Sequence, residues 1–301
     1  MSKQSIIHMI DPTANVSPFD INMAVDAGYD VVLPYSNVEL WQVNGLVQDA
    51  IFSREPEGVK KTAVFIGGRD INLAKQMLDA AKKAMVPPFE ISVLADPSGA
   101  FTTAAALVAC VERELRDKHG MELKDARGII FGGTGPVGIA TGVIASLAGA
   151  DITLVDHESV ANAQSVADEY NASCGSTLKG TIAASDADKA YLLKSVDIVF
   201  CTAKAGVEIL SDSILADTES LKVAGDVNAV PPLGIRGLQL QDSGEPLAHA
   251  VNAKGAVGIG ALAIGHIKYR TQQELLKSLL ETDKPAFIDF RQAFDKAREL
   301  V

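Results

Sequence analysis

Apolar positions along the chain fall into two alternating rhythms, short runs of strand length and longer stretches with helical spacing. In the first hundred residues the runs Ser5–Ile10, Val31–Leu33, Thr62–Ile66 and Phe89–Leu94 predict four strands. Helices are predicted between them: one opened by Ser17-Pro18-Phe19-Asp20 and running to Ala27, then Val43–Phe52 and Ile71–Met85. Ser17 is a candidate N-cap with Pro18 at the first helical position. Leu73, Met77, Leu78 and Ala81 share one face of the third helix. A long helical pattern, Thr102–Lys118, leads into a second series with strands at Gly128–Phe131, Ile152–Val155, near Thr177–Thr181, Val196–Cys201 and Lys222–Val227. Helices are predicted within this series at Ser159–Tyr170 and near Ala187–Leu193. Ala256–Leu280 and Ala286–Leu300 read as mainly helical, and a chain that ends this way is expected to return and cover its first lobe. Strands that alternate with helices imply largely parallel sheets.

One junction in this pattern carries chemistry. The strand Gly128–Phe131 runs into Gly133-x-Gly135-x-x-Gly138, then a helix rich in Ala and Gly, then a second strand ending in Asp156. This is the dinucleotide-binding fingerprint in its strand–turn–helix–strand context. Gly133 is expected to permit the tight turn, Gly135 to let the backbone approach a pyrophosphate, and Gly138 to let the helix pack closely. Thr134, Pro136 and Val137 complete a loop whose helix N-terminus presents N–H groups to an anion. Asp156 suits the two ribose hydroxyls of NAD and repels the 2′-phosphate of NADP. No arginine or lysine stands in Asp156-His157-Glu158-Ser159, so NAD is the preferred cofactor and NADP the possible one. The competing reading of Asp156 is an Asx turn that caps the next segment.

The expected architecture is therefore α/β and two-lobed. An N-terminal α/β substrate lobe spans residues 1–105 and is completed by helices within 270–301, a Rossmann-type dinucleotide-binding domain with a parallel sheet spans 106–269, and a cleft lies between them. Ligands of open parallel sheets sit beyond the carboxyl ends of the strands. In the first lobe that rule selects Asp11, Asp20, Gly67-Gly68-Arg69-Asp70 and Asp96 through Thr103. In the second it selects the glycine loop, Thr202-Ala203-Lys204-Ala205-Gly206 and Asp226 through Pro232.

Composition narrows the chemistry. The chain has 301 residues, 48 % hydrophobic and 22 % charged, enough for two lobes with cores of their own. A net charge of −11 disfavours nucleic acid and anionic membranes as partners. Cys110, Cys174 and Cys201 form no CxxC, so no metal site or disulfide framework is expected. The N-terminal apolar run is too short for a signal peptide and no run spans a bilayer, which predicts a cytoplasmic protein. No G-x-S-x-G, H-E-x-x-H or P-loop lysine occurs, and the five histidines stand in no base or ligand spacing. Without a convincing base, a hydride transfer that releases no proton fits better than oxidation of an alcohol.

Several further motifs add to the fingerprint: Ser17-Pro18-Phe19-Asp20, Phe65-Ile66-Gly67-Gly68, Asp96-Pro97-Ser98-Gly99-x-x-Thr102-Thr103-Ala104-Ala105-Ala106, Asp226-Val227-Asn228-Ala229-Val230-Pro231-Pro232-Leu233-Gly234-Ile235 and Gly255-Ala256-Val257-Gly258-Ile259-Gly260. Together they resemble the bacterial methylene-tetrahydromethanopterin dehydrogenases over essentially the whole chain. The resemblance is closer to the NAD(P)-dependent form than to the strictly NADP-dependent one, which carries a basic residue where this chain has Asp156.

The resemblance implies that the methylene carbon of methylene-tetrahydromethanopterin loses hydride to NAD(P), giving the methenyl cation, a step of one-carbon metabolism and formaldehyde oxidation. It places Asp20 nearest the developing charge, Asp96, Ser98, Phe101, Thr102 and Thr103 around the pterin, and Thr202, Ala203, Asp226, Asn228 and Pro231 around the cofactor. Lysines expected just after Gly-Ile-Gly are replaced by Ala263 and Gly265, which leaves Lys268 as the candidate for that role. A homo-oligomer, a trimer, is also implied. Other readings are a methylene-tetrahydrofolate dehydrogenase or reductase, and a dinucleotide sensor without catalysis.

Overall fold

Both series of apolar runs form sheets in the computed structural model, which describes residues 4–281 and 284–301. The chain divides into two compact units, Met1–Thr102 with Tyr269–Lys296, and Thr103–Lys268 with Ala297–Val301. The last five residues, expected with the first lobe, group with the second, where Arg298 makes a two-pronged ion pair of 2.6 Å with Glu112.

The first unit contains β1 (Ile6–Ile10), α1 (Pro18–Asp26), β2 (Val31–Tyr35), α2 (Val43–Phe52), α3 (Pro56–Val59), β3 (Thr62–Ile66), α4 (Ile71–Lys83) and β4 (Ser92–Ala95). A helix, α5 (Ala100–His119), then leads to the second unit. There follow β5 (Arg127–Phe131), α6 (Pro136–Leu147), β6 (Asp151–Asp156), α7 (Val160–Cys174), β7 (Lys179–Ile182), α8 (Asp186–Leu193), β8 (Ile198–Cys201), α9 (Asp212–Ala216), β9 (Val223–Asp226), β10 (Ser243–Pro246) and β11 (Val257–Ile259). The chain ends with α10 (Ala261–Glu281), β12 (Phe287–Ile288) and α11 (Phe290–Leu300).

The five strands of the first unit run in the order β12-β4-β3-β1-β2, all parallel. The order reverses between β1 and β3, where a parallel sheet opens a crevice at its carboxyl edge. Strands β3 and β4 are buried on both faces, as their unbroken apolar runs require. The seven strands of the second unit run β10-β11-β9-β8-β5-β6-β7, a doubly wound order whose switch lies between β5 and β8. Only β10 is antiparallel among them.

Two strands fall where helix is expected, and a third where no element is. Val257–Ile259 is β11, paired in parallel with β9, and the helix starts only at Ala261. The small apolar residues of that stretch suit either state, and a vacant sheet edge decides. A side chain at Gly260 would meet Leu240 O at 2.6 Å, so this crossing from strand to helix needs glycine. Phe287–Ile288 is β12, paired with Val93 and Leu94, and Ser243–Pro246 forms β10 without any apolar alternation. Ser17 stands at the N-cap of α1 but makes no side-chain cap bond. No helix among the described residues is long and apolar enough to cross a membrane.

Candidate functional site

The glycine loop lies at the switch point of the second sheet, between β5 and β8. Gly132, not Gly133, makes the turn: its φ is +74°, and a Cβ there would lie 2.6 Å from the N and Cα of Ala203. Gly133 instead admits strand β6, since its Cβ would meet Leu154 Cα at 2.9 Å. Gly138 packs α6 against the loop, where a Cβ would lie 2.8 Å from Gly133 Cα and from Thr202 Oγ1. Gly135 differs from all three, for its nearest neighbour would be Gly132 O at 3.5 Å. The space beside it is open to a ligand. Gly135 is the N-cap of α6 and Pro136 opens it, so the amides of Val137 and Gly138 lie in a first turn with no intrahelical acceptor. An open backbone next to a helix N-terminus fits a pyrophosphate.

Asp156 ends β6 and is 6 % exposed. Its Oδ1 accepts the amides of Glu158 at 2.8 Å and Ser159 at 3.2 Å, the Asx geometry of the competing reading. Its Oδ2 accepts Asn162 Nδ2 at 2.7 Å and Thr134 Oγ1 at 3.2 Å. Burial raises the Asp156 pKa, but the hydrogen bonds from Glu158, Asn162, Ser159 and Thr134 outweigh it and bring it down to about 2. The group is an anion at any working pH, which suits ribose hydroxyls. Its folded value lies below the ordinary 3.8, so the stabilisation is complete above about 4 and is lost as pH falls through about 2. The stability gap between this protein and an Asp156→Ala variant should hold from neutral pH to about 4, then close between about 4 and 2, as read by denaturant titration at stepped pH.

Beyond β8, Thr202 donates its hydroxyl to Phe131 O at 3.0 Å and to Gly132 O at 3.2 Å, which seats Ala203 against the glycine turn. Beyond β9, Asp226 is 1 % exposed and accepts the amides of Asn228 at 2.9 Å and Gly234 at 2.8 Å. Burial raises its pKa, and it raises that of the fully buried Cys201 thiol, whose own burial is the larger cause. Asn228 accepts from Gly206 N at 3.2 Å and Val230 N at 2.9 Å and donates to Pro232 O at 2.9 Å. Both side chains, expected around the cofactor, tie the 202–206 and 226–235 loops into one shape. Pro231, at the exposed crest of the second loop, remains available to a ligand.

In the first unit the switch between β1 and β3 brings Asp11 to the Gly67-Gly68 turn. Asp11 accepts Gly68 N at 3.0 Å and the amide and hydroxyl of Thr13 at 2.7 and 2.6 Å. Ser98 has φ +53°, is exposed, and donates to Gly68 O at 3.0 Å. A non-glycine residue in the left-handed region is strained, and such strain gathers at ligand sites. Asp96, Thr102 and Phe101, expected around the pterin, are all buried. Asp96 is wholly buried, accepting Phe101 N at 2.9 Å, Thr102 N at 3.1 Å and Thr102 Oγ1 at 2.6 Å, and so caps α5. Phe101 is 1 % exposed and packs edge-on against Phe290 at 5.4 Å. Thr102→Val deletes a donor to a buried carboxylate and should cost about 1–3 kcal/mol in denaturant unfolding, with little effect on ligand affinity. Thr103 is half-buried on the same helix.

Asp20 lies in the first turn of α1, 4 % exposed, and its Oδ1 accepts Gln272 Nε2 at 2.8 Å. Gln272, missed in the sequence, is one of three consecutive buried polar residues of α10 with Thr271 and Gln273. That run of polar residues on a core-facing segment was its only signal. Lys268 is half-buried on α10 and belongs to the second unit.

The family profile for the N-terminal part of methylene-tetrahydromethanopterin dehydrogenase matches residues 18–98. The chain is 42 % identical over 298 residues, 99 % of each protein, to the NAD(P)-dependent methylenetetrahydromethanopterin dehydrogenase of Methylorubrum extorquens strain AM1. It belongs to the methylenetetrahydromethanopterin dehydrogenase family. A second relative from the same organism, bifunctional protein MdtA, is 30 % identical over 301 residues and the whole of both chains. Among solved structures, shikimate 5-dehydrogenase from Listeria monocytogenes shares the fold with a TM-score of 0.52 at 14 % identity, over 99 % of this chain and 96 % of that one. Ornithine transcarbamoylase from Giardia lamblia also reaches 0.52, at 12 % identity, over 94 % and 88 % of the two chains. The sequence reading as a member of this dehydrogenase family, with an α/β fold, is borne out.

Proposed function

We propose that this family member oxidises methylene-tetrahydromethanopterin to the methenyl cation, with NAD preferred over NADP as the hydride acceptor. The observation that carries the reading is 42 % identity along 99 % of the chain to a dehydrogenase of that name, with the glycine loop and Asp156 in place. With the dinucleotide's pyrophosphate at that loop, its nicotinamide would supply the acceptor for the hydride. The reaction then balances without a base: the carbon between two nitrogens gives up its hydride, and the positive charge left behind is shared by both nitrogens.

The chain's own residues hold and align the two reactants. The open face of Gly135, with Thr134, Pro136 and Val137, receives the pyrophosphate, and Asp156 receives the adenosine ribose. Ala203 and Pro231 border the nicotinamide on loops whose shape Thr202, Asp226 and Asn228 maintain. In the first unit, Ser98 and the Gly67-Gly68 turn offer a polar strand-end site for the pterin, and Asp20 offers the anionic group for its developing charge. Alignment of this kind can contribute about 7–11 kcal/mol in favourable cases. A cytoplasmic homo-oligomer, a trimer by resemblance, completes the proposal, and sedimentation velocity reads the assembly directly.

The test mixes purified protein with methylene-tetrahydromethanopterin and either nucleotide, and follows reduced nicotinamide and methenyl product together. Paired growth of both signals, faster with NAD, is expected. Turnover confined to methylene-tetrahydrofolate would move the reading to the folate enzymes, and nucleotide binding with no turnover on either pterin would make the chain a sensor.

A further inference from the structure

The carboxylate of Asp156 divides its two oxygens between two kinds of partner. Oδ1 is held by the backbone amides of Glu158 and Ser159. Oδ2 is held by side chains, the hydroxyl of Thr134 at 3.2 Å and the carboxamide of Asn162 at 2.7 Å. Asn162 is exposed in the first turn of α7, where its backbone N–H is bound by the N-cap Ser159 Oγ at 3.2 Å. The capping bond fixes the backbone from which the carboxamide reaches Oδ2.

We propose that Asn162 sets how strongly Asp156 discriminates between NAD and NADP. The inference rests on the reading that the nucleotide binds at the glycine loop. A primary carboxamide carries two N–H groups, and one of Asn162's is spent on Oδ2. That bond places the positive end of an amide dipole against the oxygen that would otherwise repel a 2′-phosphate. The second N–H belongs to an exposed residue and can donate to the phosphate itself, so that the amide bridges two anions. His157 and Glu158 also face this corner, His157 at 3.8 Å from Asp156 Oδ1 and 3.3 Å from Glu158 Oε1, and no lysine or arginine occurs in 157–162. The carboxamide is thus the one side-chain donor there whose capacity does not depend on protonation, apart from the hydroxyls of Thr134 and Ser159. For NAD the balance differs, because ribose hydroxyls are donors and compete with Asn162 for Oδ2. Loss of the carboxamide therefore penalises NADP and spares NAD.

The experiment titrates the full-length protein, Asn162→Ala and Asn162→Asp with NADH and with NADPH, reading nicotinamide fluorescence in the absence of any pterin. Asn162→Ala should weaken NADPH about tenfold relative to NADH, the scale of one hydrogen bond to a charged group. Asn162→Asp, which adds a second carboxylate, should widen the gap further. A ratio that stays within about twofold of the parent's in both variants, or moves toward NADPH, overturns the assignment. Because pterin turnover plays no part, failure of the proposed reaction leaves this measurement intact. A parent protein that binds neither nucleotide would instead overturn the nucleotide reading together with the role of Asn162.

Discussion

Replacement of Asp20 with alanine is expected to lower kcat about a hundredfold while NADH affinity stays within about twofold, the loss typical when one preorganised charge or donor is removed from a reacting centre. The reaction leaves a cation on the substrate and moves no proton, so a fixed anion is the group that stabilises the transition state more than the ground state. Asp20 suits that role, being 4 % exposed, in a setting that screens charge less than water does. It also lies in the first turn of α1, where a negative charge complements the helix dipole. Gln272 holds one of its oxygens at 2.8 Å. A helix-stabilising role alone makes a different forecast, a lower unfolding free energy with kcat per folded molecule retained. Asp20→Asn separates the two, since it keeps the shape and an acceptor for Gln272 but removes the charge. A fall in single-turnover rate in both variants supports the assignment, and an unchanged rate in both removes Asp20 from the mechanism.

The contrast between Asp20 and Asp96 shows which part of the site the sequence could disclose. Both are acids near the carboxyl end of a strand or the start of a helix, and the residue string treats them alike. Asp96 nevertheless spends its oxygens on Phe101 and Thr102, and Asp226 and Asn228 are likewise absorbed by their own loops. Counting a group's hydrogen-bond partners requires coordinates, because most of those partners are backbone amides that any sequence supplies. The glycine loop was legible for the opposite reason: its constraint is the missing side chain, which the sequence states outright. Even there the Gly132-Gly133 doublet hid which glycine turns, and only the close approach of Ala203 decides for Gly132. Elements with strong internal rhythm, such as Val43–Phe52 and Thr62–Ile66, match their predicted bounds. Strands β10, β11 and β12 did not show themselves, because each exists through pairing at a sheet edge rather than through its own alternation.

Alanine at Gly132 and at Gly135 should fail in different ways, and the difference tests the cofactor site without any catalysis. At Gly132 the backbone is left-handed, φ +74°, and a Cβ would stand 2.6 Å from Ala203 N and 2.7 Å from Thr202 C. Those atoms are main chain, and Thr202 is pinned by its amide on Phe131 O at 2.9 Å and its hydroxyl on Gly132 O at 3.2 Å, so no side chain can rotate aside. Left-handed strain and overpacking together should cost about 2–5 kcal/mol, with NADH affinity falling as the loop shifts. At Gly135 the nearest atom would be 3.5 Å away, an ordinary contact, so unfolding free energy should change by less than about 1 kcal/mol. The methyl group would nevertheless occupy the space the pyrophosphate needs, and NADH affinity should drop about a hundredfold. Denaturant titration and NADH fluorescence on both variants read the two quantities separately. A Gly135→Ala protein that binds NADH as tightly as its parent would show that the open face of the loop is not where the nucleotide lies.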